Sequence, residues 1–101
     1  MSPLCIATFE KTSVGTLCRA EEYEITSEGE CKQAGELLGL QWAHSFNQSN
    51  DFPACLYADD GRNMVYFNLS PNPERINLNP KYSALCMTTG KNNHIIRLFV
   101  I

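Results

Sequence analysis

Ile25-Thr-Ser-Glu-Gly-Glu-Cys31-Lys-Gln-Ala-Gly-Glu-Leu-Leu-Gly39-Leu40 reads as a capped helix. Phe52-Pro-Ala-Cys55-Leu-Tyr-Ala-Asp-Asp-Gly-Arg-Asn-Met-Val-Tyr-Phe-Asn-Leu69 reads as a hairpin. In the first stretch Ser27 stands where an N-cap is needed, and Glu30, three residues on, completes a capping-box pattern. Cys31, Ala34, Gly35 and Leu38 follow at i, i+3, i+4 and i+7, so one apolar stripe must be buried. Gly39 supplies a left-handed stop. Gly35 sits inside the helix at a cost of about 1 kcal/mol relative to alanine, which implies close approach to whatever the helix packs on. In the second stretch residues 54–58 and 64–69 alternate as strands, and Asp59-Asp-Gly-Arg-Asn63 forms the turn.

Working outward, residues 3–9 are apolar and β-prone, and residues 16–25 have a looser strand character around Leu17, Tyr23 and Ile25. Residues 40–46 extend beyond the helix, and residues 47–53 form a polar loop. Residues 70–81, rich in Pro and Asn, make an ordered loop before strand character resumes over residues 82–88. A turn at 91–94 leads to a final strand at 95–101. This order predicts an α+β fold: one main helix packed on an antiparallel sheet. At 101 residues the chain is expected to be a single domain, 1–101, whose interior alone leaves a modest margin of stability.

Five cysteines, at 5, 18, 31, 55 and 86, are dense enough in so short a chain to favour an oxidising compartment. A bridge between Cys31 and Cys55 would staple helix to hairpin, and Cys18 with Cys86 is the natural second pair. Any four cysteines allow three pairings, so the connectivity stays open at this level. Cys5 is the odd thiol, free or bonded to another chain. The opening Met1-Ser-Pro-Leu-Cys5 shows neither a basic n-region nor a long apolar stretch, so no leader is visible. The cysteines outweigh this, and the expectation is a secreted or lumenal protein. Asn47-Gln-Ser49 and Asn68-Leu-Ser70 both have the N-glycosylation acceptor form.

A net charge of -3 gives no electrostatic footprint for nucleic acid. The most apolar run, residues 95–101, is too short to cross a bilayer and is interrupted by Arg97. Zinc sites normally show ligands at C-x2-C or H-x3-H spacing, which these cysteines lack. Calcium ligation by Asp59 and Asp60 with Glu28, Glu30 or Asp51 lacks the spaced acids and terminal Glu of an EF-hand loop. A catalytic thiol would need His44 or His94 as base, and no cysteine here has a hydrolase-like neighbourhood. No cofactor is implied and no enzymatic activity is expected. Trp42, His44 and Phe46 alternate along an extended segment; with Tyr57 and Tyr66 they would form an aromatic platform for a sugar ring or a peptide, against the simpler reading that they fill the core.

The string Ser27-x-x-Glu30-Cys31-x-x-Ala34-x-x-Leu37-Leu38-Gly39-Leu40, then Pro53-x-Cys55-x-Tyr57, Val65-Tyr66-Phe67-Asn68 and Cys86 resembles the cysteine-containing modules of predicted secreted proteins from algae, cnidarians and other aquatic eukaryotes. The likeness covers residues 18–88. It implies an extracellular or lumenal module with disulfides at Cys18, Cys31, Cys55 and Cys86 and no catalytic residues. Two departures stand out: Ala54 where those modules tend to have Gly, and Gly35 where they have the second Ala of a pair. The layout is also similar to that of PAN or apple domains, in which a disulfide-tethered helix lies on an antiparallel sheet. The expected function is recognition of carbohydrate or protein through residues 41–53 and 70–81. The alternative is a structural subunit of a larger assembly that packs through its terminal strands.

Overall fold

The computed structural model describes residues 8–88. The expected thiol at Cys5, the greater part of the strand at 3–9, the histidine at 94, the turn at 91–94 and the strand at 95–101 lie outside the described residues.

The helix α1, Glu28–Leu37, begins as the sequence predicts: the Glu30 N–H donates to Ser27 Oγ at 3.1 Å. Glu28 and Glu30 lie in its first turn, where carboxylates offset the positive end of the helix dipole. At the other end Gly39 takes φ +76. That conformation lets the Leu40 N–H reach the Gly35 carbonyl at 2.7 Å and the Gly39 N–H reach that of Glu36 at 3.1 Å, the paired bonds of a Schellman stop. Cys31, Ala34 and Gly35 are buried and Leu38 is half-buried, so the predicted stripe is the packed face.

The hairpin pairs β3, Ala54–Ala58, with β4, Met64–Asn68, in register from Cys55↔Phe67 to Ala58↔Met64. The other edge of β3 takes β5, Tyr82–Met87, and β5 in turn carries the short β1, Phe9–Lys11, both antiparallel. On the far side β2, Gln41–Phe46, lies parallel to β4. The order is β1-β5-β3-β4-β2, a mixed, mostly antiparallel sheet. The expected α+β layout of one helix on an antiparallel sheet therefore holds, with β2 the parallel exception among the described strands. The loop between Phe46 and Ala54 carries the chain past the position that β4 later fills, so β2 and β4 run in the same direction.

Residues 16–25 are not a strand. They hold one 3-10 turn, Glu21–Tyr23, and a single bridge, Glu24↔Cys86. One edge of β5 pairs with β1 and the other with β3 only as far as Leu56↔Ala84. Beyond Ala84, residues 16–25 bridge that edge of β5 at Cys86 alone, through Glu24.

Strand alternation divides the interior in two. Under the helix lie Phe9, Ile25, Cys31, Ala34, Cys55, Val65, Phe67, Leu85 and Met87. The opposite face carries Phe52, Leu56, Ala58, Tyr66, Tyr82, Ala84 and Cys86, covered by Leu17, Cys18, Phe46 and Leu78 rather than by a helix. Each disulfide serves one layer. Cys31–Cys55 ties the helix down across Cα atoms 5.4 Å apart, and Cys18–Cys86, at 5.8 Å, fastens the segment that covers the second face. The connectivity left open by the sequence is thus decided, and two disulfides mark a chain that folds under oxidising conditions.

Two substitutions probe this packing. An ideal Cβ on Gly35 would lie 3.1 Å from Val65 Cγ2, a fully buried side chain. Gly35→Ala gains about 1 kcal/mol of helix propensity but overpacks the seam at a cost of about 1–3 kcal/mol. A net loss of about 1 kcal/mol is expected in urea unfolding, and a stabilised variant would mean the seam is not tight. Ala54 holds φ +56 at the entry to β3, a left-handed conformation that costs an L-residue about 1–2 kcal/mol and glycine very little. Ala54→Gly is expected to raise stability by up to about 1 kcal/mol once the greater freedom of glycine in the unfolded chain is counted. A lower thermal midpoint would contradict this.

Candidate recognition cleft

The aromatic platform expected from Trp42, His44, Phe46, Tyr57 and Tyr66 does not assemble as a whole: Tyr57 pairs with Val65 and so faces away from Tyr66, and β2 contains a bulge. Trp42 pairs with Val65 but His44, two residues on, pairs with Tyr66, so the register slips by one. The extra residue leaves Trp42 on the helix face and turns His44 and Phe46 to the other. Trp42 and Tyr57 pack beneath the helix layer, and the Lys11 ammonium lies 5.1 Å from the centre of the Tyr57 ring. His44, Phe46 and Tyr66 do meet. Both smaller-numbered rings stand edge-on to Tyr66, with centroids 5.1 and 6.3 Å away.

Around those three the chain forms a cleft of about 250 Å³, completed by Gln48, Asp51, Leu56, Arg62 and Tyr82. Arg62 organises it. Its guanidinium lies 5.0 Å from the Tyr66 ring centre and 5.5 Å from that of Tyr82, donates from Nη2 to the Tyr82 hydroxyl, and is gripped by Asp60. Arg62 Nε donates to both Asp60 oxygens at 3.1 Å, and Nη2 donates to Oδ2 at 2.7 Å. The turn makes this geometry: the Arg62 N–H donates to Asp60 Oδ1, and Asn63 at φ +55 closes back onto the Ala58 carbonyl at 3.0 Å. From the sequence, residues 59–63 read as a turn, with Asp59 and Asp60 also weighed as calcium ligands. The signal present was an aspartate two residues before an arginine; what was missing was the register that brings Tyr82 beneath it.

The hydrogen bonds from Arg62 hold the Asp60 carboxyl down at about 2, and Asp60 in turn holds the Arg62 guanidinium above its ordinary value. Glu74 is also lowered, by the Asn77 and Ile76 N–H groups that its carboxylate accepts. Both carboxyls are more acidic folded than unfolded, so their contribution is complete above the ordinary carboxyl range near pH 4 and is lost as pH falls towards 2. The thermal midpoint is expected to be flat from pH 5 to 7 on these groups' account and to drop below about pH 4. Asp60→Asn should make that drop shallower; an unchanged acid limb would show that the pair contributes nothing.

Two other depressions include charged and amide groups, several of which hold the surrounding loops. Beside α1, one of about 310 Å³ is floored by Glu24 and Arg75, joined through both carboxylate oxygens at 2.7 and 3.1 Å. The Glu24 carboxylate holds the Arg75 guanidinium above its ordinary value. The other, about 480 Å³ between residues 48–52 and 74–80, is built from Asn and carboxylate groups that brace the loop: Glu74 Oε2 accepts from Ile76 and Asn77, and Asn79 Oδ1 from Lys81.

Asn68, read from sequence as a glycan acceptor, is buried at 3% exposure. Its Nδ2 donates at 2.9 Å to the carbonyls of Gln48 and Phe52, and its Oδ1 accepts from Gln48 and Ser70. A glycan on that nitrogen is incompatible with this arrangement, so the expectation is corrected for Asn68. Asn47 is exposed. Cys18, Cys31, Cys55 and Cys86 are all bonded in pairs, which removes each of them as a nucleophile for His44. Among the described residues no three His, Cys, Asp or Glu side chains gather as metal ligands, and no helix is long and apolar enough to cross a membrane. Comparison with protein-family models, with curated proteins and with solved structures finds no match to the chain.

Proposed function

We propose that this chain is a non-catalytic recognition module of a secreted or lumenal setting, binding carbohydrate or protein through the cleft beside β2 and β4. The observation that carries the reading is the composition of that cleft. Aromatic rings and Leu56 line it together with His44, Gln48, Asp51 and Arg62, the mixture of apolar surface and a few placed polar groups that ligand sites use. Both strands that form it belong to a sheet with a disulfide on each face, so the groups are presented on a rigid base. Rigidity favours binding because little is lost in ordering the site.

Glycan-array and protein-capture screening with the oxidised chain tests this, with His44→Ala and Phe46→Ala as cleft variants. Binding that both variants abolish, in proteins that still unfold cooperatively, supports the cleft. Binding indifferent to them sinks it. The alternative, a structural subunit, draws on the exposed apolar side chains of Ile76 and Leu37, 85% and 55% accessible. It expects an obligate oligomer in sedimentation, where the recognition reading expects a disulfide-intact monomer.

A further inference from the structure

We infer that the cleft takes an uncharged sugar residue, one ring at a time. This rests on the recognition reading and names the ligand class it leaves open.

The hydrogen-bonding groups that face the cleft are of both kinds. In Arg62, Nε and Nη2 are engaged with Asp60 and Tyr82, and Nη1 has no acceptor among the described residues. The His44 Nδ1 lies 3.0 Å from the Ser45 carbonyl. A carbonyl can only accept, so Nδ1 carries a proton, and in that tautomer Nε2 is the acceptor. Asp51 Oδ1 accepts the Phe52 N–H at 2.7 Å, leaving Oδ2. Gln48 uses its backbone N–H and carbonyl on Asn68, so its side-chain amide is available as donor and acceptor. Tyr82 accepts from Arg62 and keeps its own O–H proton. A ligand that both donates and accepts at several points around one ring satisfies such a set, and each sugar hydroxyl does both. The half-buried Phe46 offers an apolar patch for the C–H face of the ring.

Charge narrows the class. The positive charge of Arg62 is already met by Asp60, which lies outside the lining, so the charge left uncompensated in the cleft is that of Asp51. Carboxylated, sulfated and phosphorylated ligands are repelled by that remainder. A cation is attracted by the same Asp51 charge but finds no free face on Tyr66 or Tyr82, which the Arg62 guanidinium already occupies, so Asp51 alone would hold it. Size narrows it further: about 250 Å³ is below the roughly 300–1,000 Å³ of clefts that take drug-sized molecules, which suits one ring rather than a chain.

The test uses the intact oxidised chain, isotopically labelled, and follows amide shifts during titration with glucose, galactose, mannose, fucose and N-acetylglucosamine. Glucuronic acid and glucosamine serve as charged counterparts. Saturable shifts centred on His44, Arg62, Tyr66 and Tyr82 with at least one neutral sugar are expected, and weaker binding of glucuronic acid by about tenfold or more, a difference of about 1.4 kcal/mol. Asp51→Asn keeps the acceptor for Phe52 and removes the charge, so it should narrow that gap. Tighter binding of a charged sugar at these same residues overturns the class but leaves the recognition cleft standing. Silence of the cleft towards every sugar, with a protein ligand mapping to it, does the same. Shifts confined to another surface overturn both.

Discussion

Replacing Cys18 and Cys86 together by alanine is expected to cost the fold about 4 kcal/mol, the chain-entropy value for a bridge whose half-cystines are 68 residues apart. For Cys31 and Cys55, separated by 24, the same relation gives about 3.5 kcal/mol. Both of these half-cystines are essentially inaccessible, so the lost packing adds to it. Either loss is a large share of the roughly 5–15 kcal/mol that holds an ordinary domain together. The two losses differ in character. Without Cys31–Cys55 the helix keeps its caps, its stripe and the Gly35–Val65 seam, so the layer above it survives weakened. Without Cys18–Cys86 the second face loses the covalent tie to the segment carrying Leu17, and only side-chain packing retains that segment. Urea unfolding of each double variant should lower the midpoint substantially, and the Cys18–Cys86 variant should show the greater solvent exchange at Leu56, Ala84 and Cys86→Ala. A change below about 1 kcal/mol in either would contradict a stapled fold.

Asn68→Ala is expected to lose about 2–4 kcal/mol, from buried polar groups left without partners. Four bonds converge on this amide, from both sides of the loop between β2 and β3 and from the residue that opens the loop after β4. Water can reach the groups of the exposed Gln48. It reaches the Phe52 carbonyl poorly, because Phe52 is 1% exposed. Asn68→Asp is the sharper test. It keeps the acceptor for Gln48 and Ser70 but sets a carboxylate oxygen against two carbonyls, so the new group is more easily protonated folded than unfolded. Its stability is therefore fullest below the ordinary carboxyl value near 4 and falls as pH rises through it, opposite to the slope expected for Asp60 and Glu74. A parallel pH profile in the parent and the Asn68→Asp variant would mean that these bonds do not hold the loop. Since this loop supplies Gln48 and Asp51 to the cleft, the variant should also weaken any ligand that binds there.

Much of the layout was legible where the determining interactions are local. Ser27 and Gly39 bound the helix through groups within a few residues of themselves, and the turn at 59–63 needs only its own φ angles and one aspartate. The strands β3 and β4 were legible, but not their faces: Tyr57, expected beside Tyr66, pairs with Val65 and lies on the opposite side of the sheet. Reading failed where segments compete for a shared edge. Residues 16–25 look strand-like in isolation, but Glu21–Tyr23 coils as a 3-10 turn and only Glu24 bridges to β5, at Cys86. Trp42 and His44 look co-facial in isolation, but the bulge lies in the pairing with β4 and leaves no mark in the alternation of β2 itself. Asn68 has an acceptor motif, and only its place at the end of β4 shows that its nitrogen is engaged.

For the candidate site the contrast is greater. His44, Phe46 and Tyr66 were visible as aromatic or polar residues of suitable chemistry, yet so were Trp42 and Tyr57, which the helix covers. Arg62 and Tyr82 drew no attention because they are 20 residues apart and acquire their relation only through the β3–β4 and β3–β5 registers.

By itself the chain determined one capped helix with a stripe to bury, one hairpin and a cysteine content suited to oxidising surroundings, because hydrogen-bond capping and side-chain periodicity act over a few residues. Which cysteines join, which way β2 runs and which side chains gather at the cleft were decided by tertiary structure. Those outcomes depend on distant segments competing for the same strand edges and the same buried area, and no short stretch of sequence contains both competitors.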